Sequence, residues 1–454
     1  MTDSPLRIAM FAVTFPVVSE TFVLHQIAGL LELGHDVRIF ADVPGDPRAP
    51  TQTEVERHRL LDRTTYMDLP PEMAPWEMPV WPLTGRTWLP GATTSIRNAR
   101  RIARELPKLA RCLVRAPRLT RRALSRRESG FRAASLSSLG RLARLLDDPG
   151  GYDLLHAHFG PAGESFRFAR SLWNAPLVVS FYGYDFTVEP QRHGPHVYRR
   201  LFEEADAVIS LSDFALSRLE ALGCPRPKLF KLPLGVDLSV FAPKPGPRSR
   251  NEPARVLTVG RLVEKKGHEF ALRGVARARQ QHPELRYEII GDGPLRGGLE
   301  ALAQELGLTN CLTWHGARDA LFVRERMAAC DIFLLASVTA ANGDQEGQGL
   351  VLQEAQAAGL PVVATDHGPF REGLVPNQTG FLVPERDPEA IAARVDWLLS
   401  RPDEACRMGQ AGRRLMETEF DQRVLDRRLV ELYESVLSAF RMPATAGRTN
   451  RGPR

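Results

Sequence analysis

The chain has 454 residues, 43% of them hydrophobic and 25% charged, too long for one core and too ordinary in composition for a fibrous or disordered protein. Its formal net charge is +6, yet fourteen arginines and lysines fall from Arg86 to Arg132 against only Glu105 and Glu128. The excess therefore belongs to one segment, and with no nucleic-acid motif beside it, nucleic acid is excluded as the expected partner.

The N-terminus passes from Met-Thr-Asp-Ser-Pro straight into a strand-like run, without the basic and apolar regions of a signal peptide. Short β-branched runs at Leu6–Val13, Asp36–Ala41, Tyr152–His156, Leu177–Phe181, Ala207–Leu211 and Leu229–Leu232 alternate with amphipathic stretches, the pattern of βαβ units around a parallel sheet. Pro70 to Gly91 interrupts them with six prolines and Trp76, Trp81 and Trp88, which suits an irregular lobe. The Arg-rich segment follows, with Ile102, Leu106, Leu109, Leu113 and Leu119 at near-helical spacing, and predicts amphipathic helices broken near Pro107 and Pro117. Residues 242–253 are rich in proline and charge and suit a linker. A second strand series runs through Arg255–Val259, Tyr287–Ile290, Leu312–Trp314, Ile332–Leu335, Pro361–Ala364 and Phe381–Val383, and a strong helix at Val424–Phe440 closes the pattern. The five cysteines (Cys112, Cys224, Cys311, Cys330, Cys406) make no zinc or redox spacing and suit a reduced, cytoplasmic compartment. No window approaches a spanning helix.

The expected fold is thus α/β, with two Rossmann-like doubly wound domains. The first covers 1–241 with an insertion at 70–132, and the linker at 242–253 leads to a second over 254–422. A helix over 423–442 returns to the first domain, and 443–454 form a loose tail.

Chemistry concentrates in Gly343 to Ala364, GDQEGQGLVLQEAQAAGLPVVA. Glycines let backbone approach a ligand, and the amides of Gly349, Leu350 and Val351 open a helix with the positive end of its dipole. Such a start suits a diphosphate. Glu354, on the first turns, can take two neighbouring hydroxyls of a ribose, while Glu346 in the loop faces what hangs from the far phosphate. Arg261 and Lys266, in VGRLVEKKG after a strand, can neutralise a pyrophosphate and its departure. Gly291 lies in a third strand-to-helix turn, Gly-Asp-Gly-Pro. Singly, these are a turn, a solvated loop and an exposed helix face. Their order, each after a predicted strand, makes the signal.

VGRLVEKKG, then GDGP, then the run from Glu346 to Ala364 resemble the donor domain of retaining GT-B glycosyltransferases of family four. Thr14–Leu30, His156–Gly160 (HAHFG) and Pro233–Asp237 (PLGVD) are similar to the branch that builds bacterial exopolysaccharides such as colanic acid. The resemblance implies two domains facing across a cleft, with a hinge near 242–253. It implies that Arg261 and Lys266 bind pyrophosphate, Glu354 the ribose and Glu346 the donor sugar near the reacting centre. It also implies that Gly347, Gln348, Gly349, Leu350 and Val351 line the donor site and that His158, the second histidine of HAHFG, contacts the donor sugar; the plainer reading of His158 is a histidine satisfied at the end of a buried strand. His156 reads as a packed histidine. Gln348 stands where the family often has Phe, Tyr182-Gly183 where it often has His-Gly, and Ser19, Glu20 and Thr21 where many relatives have a double glycine.

The implied activity is transfer of a sugar from a nucleotide diphosphate donor, with retention, to a glycan or polyprenyl-linked acceptor, with no metal or other cofactor. A sugar-nucleotide epimerase or phosphorylase of the same shape, or a catalytically silent membrane-associated relative, are the competing expectations. The Arg-rich helices with their tryptophans suit peripheral contact with an anionic membrane on the inner face of the plasma membrane, and the plainer reading of the same charges is a solvated helix face.

Overall fold

The computed structural model describes residues 4–17, 20–45, 53–67, 69, 105–129, 133, 136–243, 246–247 and 252–442. The Pro/Trp-rich stretch 70–91, Arg100, Arg101, Arg104, Ser19, parts of 242–253 and the tail 443–454 lie outside the described residues. The chain divides into two compact units, one of Met1–Ser180, Tyr198–Val208 and Val430–Arg454, the other of Phe181–Val197 and Ile209–Leu429.

The first sheet has seven strands: β1 (Arg7–Phe15), β2 (Asp36–Pro44), β3 (Thr64–Tyr66), β4 (Leu154–His158), β5 (Leu177–Phe181), β6 (Ala207–Ser210) and β7 (Leu229–Lys231). Their order is β3-β2-β1-β4-β5-β6-β7, and the pairs from β3 to β5 are parallel. Every residue of β4 and β5 is buried, as parallel strands covered on both faces require. The six expected strands are present. β3 was not anticipated, because three polar-rich residues at a sheet edge carry no apolar run. β4 starts two residues later than expected, since Gly150 and Gly151 still turn the chain at φ 70° and 77°. His158 is consequently the last residue of a strand.

The second sheet comprises β8 (Arg255–Val259), β9 (Arg286–Ile290), β10 (Leu312–Gly316), β11 (Ile332–Leu335), β12 (Val362–Thr365) and β13 (Gly380–Val383). Its order is β10-β9-β8-β11-β12-β13, and all its pairs are parallel. Side chains alternate between two cores with the period of a strand. Val256, Ile289, Ile332, Leu334 and Val363 enter one, and Leu257, Ile290, Phe333, Leu335, Val362 and Ala364 the other. Both faces are thus covered. The strand order reverses between β8 and β11, which makes the loops after those two strands the expected seat of a ligand.

In the Arg-rich segment, residues 105–115 are helical and a second helix spans Pro117–Leu124. Leu109, Cys112, Ala116, Leu119 and Ala123 pack against Leu139, Leu142 and Ala143. The expected break occurs at Pro117, which opens the second helix. None occurs at Pro107, which lies two residues from the start of the described helix, where a missing N–H removes no described hydrogen bond.

Candidate donor site

The loop after β8 is shaped by the loop after β9. Gly260 donates its N–H to Ile290 O and Leu262 its N–H to Asp292 O, both at 2.9 Å. Gly291 sits at φ +143°, and a Cβ there would lie 1.9 Å from Gly260 O. Only glycine permits that approach, so Gly291 braces the Arg261 loop. Leu262 is fully buried as the loop's anchor. A turn at Glu264–Lys266 then ends in Gly267 at φ +61°, whose added Cβ would lie 1.7 Å from Ala336 O at the end of β11. The two loops at the reversal point are therefore pressed together by a glycine.

Charges follow from that contact. Lys266 Nζ lies 2.9 Å from Glu346 Oε1, and Lys265 Nζ lies 3.1 Å from Asp344 Oδ1. The Lys266 pair is an ion contact off the preferred hydrogen-bond angle, since Oε1 accepts no hydrogen bond. Burial pushes the Glu346 carboxyl up, but Lys266 and Lys265 outweigh it and hold the group down at about 2. Glu346 is thus a fixed anion. Arg261 is exposed, and among the described residues its guanidinium makes no ion pair or hydrogen bond.

Beyond Glu346 the chain makes a close turn into the helix Leu350–Ala357. A Cβ on Gly347 would lie 1.5 Å from Tyr182 O, and one on Gly349, at φ +79°, 2.5 Å from Phe370. Gln348 is occupied elsewhere: its amide accepts from Leu234 N at 2.7 Å and donates to Leu234 O at 2.9 Å. It thereby pins the PLGVD stretch. The amides of Leu350 and Val351 open the helix, where no carbonyl one turn earlier can accept them. Glu354, one turn on, is partly exposed, and among the described residues its carboxylate has no hydrogen bond or ion pair. Desolvation outweighs the pull of Arg324 and Lys266 and pushes this carboxyl up to about 7.

Arg261, Lys266, Gly291, Glu346 to Val351 and Glu354 therefore share one end of one sheet. His158 belongs to the other unit. It ends β4 at 1% exposure, with Nε2 3.3 Å from Met10 Sδ, and burial pushes it down to about 3. His156 bonds Tyr433 Oη at 2.6 Å and Ser180 Oγ at 2.7 Å through its two ring nitrogens. Both histidines are held neutral.

Sequence patterns did not single out His367 or Glu385. His367 Nε2 lies 3.2 Å from Glu346 N, and Nδ1 lies 2.5 Å from Glu385 Oε1. The available signal was a histidine two residues beyond a buried strand of the same sheet.

Comparison with known proteins identifies the family. Residues 243–415 match the family of glycosyl transferases group 1, and residues 19–235 the glycosyl transferase 4-like domain. The chain is 30% identical to WcaL of Escherichia coli K12, named for colanic acid biosynthesis, across 95% of this chain and 100% of that one. It is 31% identical to the amylovoran biosynthesis glycosyltransferase AmsK of Erwinia amylovora, across 94% and 99%. The solved structure of Anabaena HepE in complex with UDP covers 95% of this chain and 100% of its own, with a TM-score of 0.67 at 17% identity, a likeness of fold alone. This chain belongs to the group 1 glycosyltransferase family and is a glycosyltransferase built on the two parallel-sheet, Rossmann-like domains of the GT-B fold.

Proposed function

We propose that the chain moves a sugar from a nucleotide diphosphate donor, with retention and without a metal, to a glycan or polyprenyl-linked acceptor in exopolysaccharide or cell-surface polysaccharide synthesis. The observation that carries the donor assignment is Lys266, 2.9 Å from Glu346 and close enough to Glu354 to act on its carboxyl. Lys266, Arg261 and the amides of Leu350 and Val351 supply positive charge for a diphosphate, in the ground state and as it leaves. Fixed cations and dipoles do there what a metal would do. Glu354 accepts two ribose hydroxyls, and Glu346 contacts the donor sugar. The acceptor hydroxyl attacks from the face the diphosphate leaves, which preserves the anomeric configuration. WcaL and AmsK are named for exopolysaccharides, and HepE is solved in complex with UDP-glucose; they support the substrate class. The proposed place of work is the cytoplasmic face of an anionic membrane, although no helix among the described residues is long and apolar enough to cross one.

Binding and turnover of UDP-, GDP- and ADP-linked sugars test the assignment, comparing wild type with Glu354→Ala and Lys266→Ala, with and without EDTA. One donor is expected to be bound and turned over, unaffected by EDTA, and both changes should weaken it at least tenfold (about 1.4 kcal/mol). Equal binding in all three proteins would place the donor elsewhere.

A further inference from the structure

His367 follows β12 by two residues and is 1% exposed. Its Nε2 lies 3.2 Å from the backbone N of Glu346. A peptide N–H can only donate, so Nε2 accepts, the ring proton sits on Nδ1, and Nδ1–H donates to Glu385 Oε1 at 2.5 Å. The hydrogen-bond partners alone fix the tautomer. Glu385 is itself fixed, because it accepts from Thr339 N at 3.0 Å and pairs with Arg386 at 3.2 Å. Thr339 Oγ1 in turn accepts from Gln345 Nε2 at 2.9 Å. One carboxylate therefore governs the loop at two consecutive residues, through His367 to Glu346 and through Thr339 to Gln345.

Such a hold answers a local need. Gly343, Gly347 and Gly349 surround Glu346 and would leave its backbone free, while a reacting group must be kept within roughly 0.5 Å of its productive place. Lys266 fixes only the far end of the side chain. Phe370 packs edge-on against the His367 ring, with centroids 5.6 Å apart, so the ring cannot swing away. The other charges nearby are matched: Asp366 pairs with Arg371, and Arg386 with Glu385.

We infer that His367 is a positioning residue for transfer, clamping the Glu346 peptide through a neutral imidazole that Glu385 holds. The inference rests on Glu346 facing the donor sugar. It separates His367→Gln, whose Oε1 can replace Nε2 as acceptor for Glu346 N–H, from His367→Asn, which can still donate to Glu385 but cannot reach Glu346. Both variants, with Glu346→Gln, would be measured for kcat and KM on the donor found by the panel, for nucleoside diphosphate binding and for thermal unfolding. His367→Asn is expected to lose roughly 10- to 100-fold in kcat, with nucleotide affinity within about threefold, while His367→Gln keeps most of the rate. Loss in both variants alike, or in neither, overturns the clamp while Glu346→Gln still abolishes transfer. Full activity in Glu346→Gln overturns the assignment of Glu346 instead.

Discussion

Glu346 and Glu354 stand eight residues apart and titrate in opposite directions. Two lysines hold the more buried Glu346 at about 2, whereas Glu354, with only Arg324 and Lys266 acting from a distance, is pushed up to about 7. A carboxyl whose folded value is raised binds its proton more tightly in the folded chain. Its contribution to stability is whole below the ordinary value of 4.5 and is lost as pH rises through about 7. Glu354→Gln should therefore be more stable to unfolding than wild type at pH 8, by roughly 1–3 kcal/mol, with the gap closing near pH 4.5. Ribose hydroxyls need the ionised form. Affinity for the intact sugar nucleotide, whose esterified diphosphate does not titrate in this range, should rise about tenfold from pH 6 to pH 8. Glu354→Gln should flatten that rise. Identical pH profiles in calorimetric titrations of the two proteins would remove Glu354 from the ribose. The spacing of these two glutamates was legible in the sequence; their opposite titration was not, because it depends on which lysine ends up beside which carboxyl.

The helical residues 105–115 and the helix Pro117–Leu124 pack one face on Leu139, Leu142 and Ala143, so the residues left exposed should be polar if they were only solvated. Four of them are not: Leu106 is 54% exposed, Leu113 45%, Val114 83% and Leu124 38%. Among them Arg115, Arg118 and Arg121 are exposed and, among the described residues, without an ion pair. Apolar residues set among unpaired arginines favour an interfacial helix on anionic lipid. In vesicle cosedimentation, Arg115→Glu, Arg118→Glu and Arg121→Glu together should lose roughly 1 kcal/mol per arginine. Leu113→Ser with Val114→Ser should also weaken binding, and salt should oppose the wild type. Wild type that ignores anionic vesicles would return these helices to the solvated reading. Elements of this kind were visible as spacing, and the strands of the second sheet as short apolar runs such as Ile332–Leu335, because burial on both faces leaves polar residues little room. β3, at an edge, left no such trace. Pairings across long separations were equally hidden: Gln348 meets Leu234 114 residues away, and Glu385 lies 18 residues beyond His367.

Across the whole molecule, the proposed donor residues Arg261, Lys266, Glu346 and Glu354 all fall in the unit that contains Ile209–Leu429, while His158 falls in the unit that contains Met1–Ser180. If His158 contacts the donor sugar, as the family resemblance implies, donor binding and sugar transfer are separable by mutation. The nucleotide's contacts as proposed lie wholly in one unit, so His158→Ala should leave nucleoside diphosphate affinity within about twofold of wild type. A histidine that hydrogen-bonds the sugar should instead cost roughly 10- to 100-fold in kcat, the worth of one such bond to a group changing charge. A packed histidine of no functional use would show neither effect and would lower only the unfolding temperature, since the ring stacks on His156 with centroids 4.6 Å apart. The pH profile adds an independent check. Burial pushes His158 down to about 3, so the ring is neutral across the working range and supplies no acid limb of its own. Wild type and His158→Ala should then differ by a constant factor from about pH 5 to pH 9. A limb near pH 6 that disappears in His158→Ala would show the ring titrating in the working range, and its role would have to be rebuilt around the imidazolium.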